Sequence, residues 1–147
     1  FSGSSPRVSR LVNLQAAIGI LQLEHIDAFN EGARRNARIL TEILGRVPRI
    51  KVPRLTNGDS IYVYYPLVVA AEKKDDLRRY LLRHGIDSKR TDMSDCSALK
   101  AFREADLTAK EHRRPKEDCI LEICVYPMIP ERSMRKLGKA IRAWAEG

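Results

Sequence analysis

Leu14, Ile18 and Leu21 stand at steps of four and three, and Ala37, Leu40 and Leu44 resume the stripe further along, so the apolar positions between Leu11 and Leu44 predict helix. The span is long for one helix. Asp27 and Asn30, both cap-type residues in its middle, predict a break or bend there and a second helix running to about Leu44, closed by Gly45. Leu11 to Leu23 also carries Ile20 and Leu23 off the Leu14 stripe. A helix apolar over most of its circumference is one covered on more than one side, and the cover is expected to come from outside this chain.

The period then shortens. Pro48 to Thr56 has room for a brief strand around Ile50 and Val52, and Asn57-Gly58-Asp59 is a turn signal. Ser60 to Ala70 is rich in β-branched and aromatic residues, the composition of a strand. Pro66 inside it points to an edge position or a bulge, because proline cannot donate a ladder hydrogen bond. Asp75 and Asp76, then Arg78, Arg79 and Arg83, then Gly85 describe a helix whose charges complement its dipole and whose stop is a glycine, with Leu77, Tyr80 and Leu81 as its apolar face.

Ile86 to Lys89 begins another extended piece, Ser97 to Asp118 reads as a mostly charged stretch ending in a solvated loop, and Cys119 to Val125 returns to strand composition. A last helix opens at Pro130, where a missing N–H costs nothing, and carries Met134, Leu137, Ile141 and Trp144 on one stripe. The order of elements predicts an α+β fold: long N-terminal helices, then a small, mainly antiparallel sheet with helices on one face.

The 147 residues carry 27 Lys+Arg against 19 Asp+Glu, a formal charge of +8 at a pI near 9.7. Such a charge can mark a nucleic-acid partner, but here it is spread evenly over both halves. Aromatics are only 6%, and no base-reading or stacking motif accompanies them. Nucleic acid is therefore not the expected partner. The three cysteines, Cys96, Cys119 and Cys124, form no CxxC, and His25, His84 and His112 have no zinc-like spacing, so reduced thiols in a cytoplasm and no metal site are expected. The Leu11–Leu23 run falls short of the roughly 20 residues needed to cross a bilayer and lacks signal-peptide flanks, which argues against a membrane or secretory role.

Catalytic motifs are sparse: there is no G-x-S-x-G, G-x-G-x-x-G or H-E-x-x-H. Asp92-Met93-Ser94-Asp95-Cys96 groups carboxylates, a hydroxyl and a thiol, yet no neighbouring histidine activates the thiol, so an idle cysteine is the favoured reading. His84 closes a helix, where a cation suits the dipole. Arg10 stands directly before the apolar helix. A guanidinium there serves either to clamp a phosphate or carboxylate, or to pair with an acidic residue elsewhere in the molecule.

Arg10-Leu11-Val12-Asn13-Leu14-Gln15-Ala16-Ala17-Ile18-Gly19-Ile20-Leu21-Gln22-Leu23 resembles the N-x-R-x-s-x-l-Q-A-A-x-G-x-x-Q-L segment of the DegT/StrS-type aminotransferases, pyridoxal-phosphate enzymes that make amino sugars. The resemblance continues through Arg34-Arg35-Asn36-Ala37-Arg38, the strand from Ile61 to Val69 and Leu81 to Asp87. It closes with Val125-Tyr126-Pro127-Met128-Ile129-Pro130-Glu131, similar to the family's P-[LI]-[YH]-P-x-[LI]-[ST]-E.

This resemblance implies the C-terminal portion of a fold-type I aminotransferase, with residues 1–46 as helices connecting to a large cofactor domain and 47–147 as the small α+β domain. The complete protein would be a cytoplasmic homodimer that moves an amino group, with glutamate as the expected donor, to a nucleotide-linked keto-sugar. The family's Schiff-base lysine and the acidic partner of the pyridine nitrogen lie upstream of the matching segment, so no lysine here is expected to be catalytic. Pyridoxal phosphate would belong to the full-length protein and not to this fragment alone. Arg10 matches the family's cofactor-binding arginine, and Lys89 falls near a basic position that faces the sugar nucleotide. Val8 stands where the family asparagine reaches a neighbouring subunit's cofactor phosphate, Ser9 where an aromatic follows it, and Cys124 where proline is usual. A parent that has lost activity is one alternative; a stand-alone interaction domain that recruits a partner through Leu11–Leu23 is another.

Overall fold

The computed structural model describes residues 12–55, 58–91 and 119–147. Two helices, α1 (Asn13–Leu23) and α2 (Ile26–Leu44), lead into strand β1 (Tyr64–Val68), helix α3 (Ala71–Arg83), strand β2 (Lys89–Arg90), strand β3 (Ile120–Cys124) and helix α4 (Glu131–Glu146). The strands form an antiparallel sheet in the order β1-β3-β2. The expected α+β architecture is therefore present.

Period-two alternation decides which face of the sheet is buried. Tyr65 and Leu67 on β1 with Val69 just beyond it, and Leu121 and Ile123 on β3 with Val125 just beyond it, are buried, while Tyr64 and Cys124 are exposed on the opposite face. Against the buried face pack Ala37, Leu40 and Leu44 of α2, Leu77 and Leu81 of α3, and Met134, Leu137 and Ile141 of α4. Those positions recur at helical spacing on each element, so each helix buries one stripe. Removing such a side chain from water stabilises by about 1.5–3 kcal/mol. Helices α2 and α4 approach closely at Gly138, where an added Cβ would lie 2.8 Å from Ile43 Cδ1.

Several boundaries differ from the sequence expectation. The helical break falls at Glu24–His25 and not at Asp27 or Asn30: His25 N–H turns back to Gln22 O, and α2 starts at Ile26. Asp27 sits in the first turn of α2, where a negative charge suits the positive end of the helix dipole. The strand expected over Ser60–Ala70 contracts to Tyr64–Val68 because Tyr62 adopts φ 46°, a left-handed conformation that turns the preceding residues out of the ladder. The strand around Ile50 and Val52 reduces to a single bridge between Lys51 and Val68. Helix α3 begins at Ala71, earlier than Asp75, with Ala70 as its N-cap residue.

Pro66 is on an edge, as expected. Val68 N–H bonds outward to Lys51 O, whereas Val69 N–H bonds inward to Cys119 O, so the alternation turns the nitrogen of Pro66 outward as well. The Ser97–Asp118 stretch, Arg10, Val8, Ser9, Cys96, His112 and Asn57 of the turn signal lie outside the described residues. Among the described residues no helix is long and apolar enough to cross a membrane, and no group of His, Cys, Asp and Glu could hold a metal ion.

Candidate functional site

The course of β2 is set by the end of α3. Gly85 at φ 71° lets its own N–H reach Leu82 O at 3.0 Å and the Ile86 N–H reach Leu81 O at 3.0 Å, the paired bonds of a glycine helix stop. His84 adds its ring: Nδ1 lies 2.8 Å from Tyr80 O, in line with a capping role. The chain thereby reverses and delivers Lys89 and Arg90 to the edge of β3, opposite Glu122 and Leu121.

Lys89, the candidate substrate contact, emerges on the sheet face that the helices leave open. Its ammonium lies 3.9 Å from Glu122 Oε2 and 5.0 Å from the centroid of the Tyr64 ring. The Glu122 side chain is only 12% exposed, so the lysine neutralises a carboxylate held close to the sheet, and the ring face of Tyr64 adds a cation–π attraction. Arg78, Asp87, Ser88, Arg90 and Cys124 join these residues around an open groove of about 530 Å³. Cations beside an aromatic ring are the chemistry that holds an anionic, partly planar ligand.

Tyr64 and Glu122 escaped the sequence reading because only strand register brings them together with Lys89. The signal that existed was the alternation in Ile120–Cys124, which puts Glu122 on the same face as Cys124 and opposite to Leu121 and Ile123.

A second constellation joins two segments of the family-like pattern. On α2, Asn36 Nδ2 donates to Tyr126 O at 2.8 Å and Ile129 O at 3.3 Å, and Arg35 Nη2 donates to Pro127 O at 3.2 Å. Gly32 faces Pro127 so closely that a Cβ would sit 2.6 Å from the Pro127 Cβ. The turn's carbonyls are thus held from one helix face, while Tyr126 and Met128 project outward. In the core, Tyr65 hydrogen-bonds Thr41 Oγ1 at 2.7 Å, and burial pushes its phenol up to about 12. That contact is structural, since Tyr65 has no solvent exposure.

Helix α1 contributes no buried residue at all. Leu14 is 71% exposed and Leu23 68%, and Ile18, Ile20 and Leu21 are exposed with them. The apolar circumference read from the sequence is therefore uncovered by the described part of the chain.

The described residues do not fit pyridoxal phosphate by themselves. Among the described residues two clefts combine a lysine, an arginine, a carboxylate and an aromatic ring: in the groove beside β3 the lysine, Lys89, is already paired with Glu122, and the other cleft holds Lys73, Arg49, Asp76 and Trp144. That second cleft is open, with Lys73 and Asp76 exposed and Asp76 already accepting the Trp144 Nε1–H at 2.9 Å. Lys74 is buried but lines neither cleft.

Residues 7–142 match the model of the DegT/DnrJ/EryC1/StrS aminotransferase family. The chain is 29% identical over 145 residues to the dTDP-3-amino-3,4,6-trideoxy-alpha-D-glucose transaminase of Streptomyces venezuelae, covering 94% of this chain and 37% of that protein. It is 30% identical over 128 residues to a pleiotropic regulatory protein of Geobacillus stearothermophilus, covering 84% of this chain and 33% of that protein. The chain thus spans about a third of the length of these relatives. Its fold superposes on the X-ray structure of DesV from S. venezuelae with a TM-score of 0.75 at 23% identity, covering 99% of this chain and 42% of the other. The match to the family model over nearly the whole chain makes this protein a member of the DegT/DnrJ/EryC1/StrS aminotransferase family.

Proposed function

We propose that this chain is the small-domain portion of a pyridoxal-phosphate-dependent sugar aminotransferase, and that α1 and α2 connect it to a large cofactor domain. In this reading residues 1–46 are the connecting helices and 47–147 the small domain. The complete protein is a homodimer that transfers an amino group from an amino acid, glutamate, to a nucleotide-linked keto-sugar. The observation that carries the reading is α1: a helix rich in leucine and isoleucine with no buried residue, inside a segment that matches an aminotransferase family. Exposing that much apolar surface is unfavourable unless another body covers it.

Pyridoxal phosphate, bound in the complete protein, supplies the electron sink for amino-group exchange. This chain's part is binding and orientation. Arg10 is assigned to the cofactor phosphate and Lys89 to the nucleotide sugar, where its ammonium, steadied by Glu122 and Tyr64, faces the open side of the sheet. The cofactor-anchoring lysine belongs to the large domain.

The test is an assay of the complete protein carrying this chain, supplied with pyridoxal phosphate, glutamate and a dTDP-linked keto-sugar. Formation of 2-oxoglutarate that requires the sugar is expected, with a raised KM for the sugar in Lys89→Ala. No sugar-dependent product across a panel of nucleotide-linked keto-sugars would remove the reading. The 147-residue chain alone should give no visible imine band with pyridoxal phosphate.

A second reading is a stand-alone domain that works by binding, for which α1 is the recruiting surface. The relative named as a pleiotropic regulatory protein keeps it in view. Sedimentation separates the two: a well-behaved monomer favours the module, and self-association through α1 favours a surface that another domain covers.

A further inference from the structure

We infer that the Tyr126–Ile129 turn and the first two turns of α2 form one docking surface, and that its occupant is the large domain of the same polypeptide. The inference rests on the proposal that the complete protein has such a domain. This chain spans about a third of the length of its relatives, so the occupant is the larger part of the molecule.

The helix supplies the first observation. Asn36, Gly32, Phe29 and His25 stand at steps of four, three and four, so they share one stripe running from the middle of α2 back to its N-cap. Where the turn lies on that stripe it is covered: Asn36 and Gly32 are buried, and a Cβ on Gly32 would sit 2.6 Å from the Pro127 Cβ. Further back the cover stops. Phe29 is half-buried, His25 is exposed with its ring 6.2 Å from that of Phe29, and Ile26 beside them is 43% exposed.

The turn supplies the second. Tyr126 O accepts the Ile129 N–H at 3.0 Å and Asn36 Nδ2 at 2.8 Å, while Arg35 Nη2 holds Pro127 O at 3.2 Å. A backbone fixed from both sides nevertheless presents two large side chains to water, Tyr126 at 57% exposure and Met128 at 71%. On a preorganised turn such side chains lose little freedom when they dock, and tyrosine and methionine are enriched where proteins meet. Arg35 Nε and Glu131 Oε1, 3.8 Å apart, give the surface a polar edge.

Continuity with α1 identifies the occupant. Only Glu24 separates Leu23, the exposed end of α1, from His25, so a body that covers α1 reaches the bare stripe of α2 and the turn beside it. One apolar surface then runs from α1 to Met128.

Oxidation by hydrogen peroxide, read by mass spectrometry at Met128, tests this. The complete protein is compared with the 147-residue chain carrying Leu14→Glu and Leu21→Glu, which keep copies of the short chain apart without touching a buried residue. In the short chain Met128 should form its sulfoxide readily and buried Met134 should not. In the complete protein Met128 is expected to react about tenfold or more slowly. Tyr126→Ser with Met128→Glu should leave the melt of the short chain within about 2 °C, because Asn36 and Arg35 bind the turn's backbone and not those side chains. The same pair in the complete protein should speed tryptic cleavage between the domains about threefold or more.

Met128 equally reactive in both proteins, or cleavage unchanged in the complete double variant, overturns the inference. Protection that vanishes when the complete protein is diluted to monomer places a second copy on this surface and overturns it as well. The readouts need no turnover, so a complete protein that aminates a sugar while Met128 stays reactive refutes the docking surface alone. Protection without sugar-dependent product refutes the aminotransferase reading alone.

Discussion

Asn36 reaches across 90 residues of sequence to donate its amide to the carbonyl of Tyr126 at 2.8 Å. The donor is fully buried on α2, and the same nitrogen also serves Ile129 O at 3.3 Å. Alanine at this position would leave Ile129 O without that donor and open a polar cavity against the core. Asn36→Ala is expected to lower unfolding stability by about 2 kcal/mol, and Asn36→Asp by more, since a carboxylate cannot donate and is buried without a cation. Urea unfolding measures this. A change under about 0.5 kcal/mol for both variants would show that α2 does not hold the Tyr126–Ile129 turn.

The sequence made the elements legible where one physical rule governed them. The glycine stop at Gly85, the edge placement of Pro66 and the stripe Met134, Leu137 and Ile141 all follow from local chemistry, and the fold keeps each of them. It misled where tertiary packing decided. Asp27 looks like a cap but lies inside the first turn of α2, because the chain already turns at Glu24–His25 without any side-chain cap bond. Tyr62 has the composition of a strand residue and adopts φ 46°, with its ring 5.7 Å from that of Tyr65 and packed against the core. The candidate site was half visible: Lys89 could be named from its resemblance, whereas Glu122 and Tyr64 could not, because register between strands distant in sequence is fixed by the core and not by local pattern.

Gly138 on α4 is predicted to be intolerant of even a methyl group. A Cβ there would meet Ile43 Cδ1 at 2.8 Å, Cγ2 at 3.2 Å and Cβ at 3.3 Å. The terminal methyl can swing aside, but Cβ and Cγ2 belong to the stiff part of a β-branched side chain. Alanine gains about 1 kcal/mol in helix propensity, against an overpacking cost of about 1–3 kcal/mol. The net effect of Gly138→Ala is expected to be a loss of about 1 kcal/mol in unfolding stability. The double variant with Ile43→Ala should show a favourable coupling between the two changes, and a strictly additive pair would mean the helices do not touch at this point.

Tyr65 predicts a loss of stability in alkali. Its phenol is pushed up to about 12 from the ordinary 10.0, chiefly by burial and opposed by the hydrogen bond to Thr41. The raised value favours the protonated form in the folded chain. Its contribution is fully present below pH 10, and it declines as the unfolded tyrosine ionises while the folded one holds its proton, until pH passes about 12. Over that window the contribution lost is about 2–3 kcal/mol. Tyr65→Phe should be less stable than the parent near neutrality by about 1 kcal/mol for the lost Thr41 contact, yet show a shallower decline above pH 10. Parallel decline in parent and variant would assign the alkaline sensitivity to other groups.

The exposed face of α1 yields a prediction in which stability and association separate. Because no α1 side chain is buried, charged substitutions there remove no core contact and should leave the thermal midpoint of the domain within about 2 °C. The same face carries Leu14, Ile18 and Leu21 in the open, and apolar surface of that kind drives chains together in water. The 147-residue chain is therefore expected to self-associate in sedimentation velocity at micromolar concentration. Leu14→Glu with Leu21→Glu should return it to a monomer with an unchanged melt. If the double variant instead unfolds the domain, α1 is packed on it in solution and the helix is an internal element. If the parent is already monomeric and the variant behaves identically, the face has no drive to be covered, and the connecting-helix role proposed for residues 1–46 loses its physical basis.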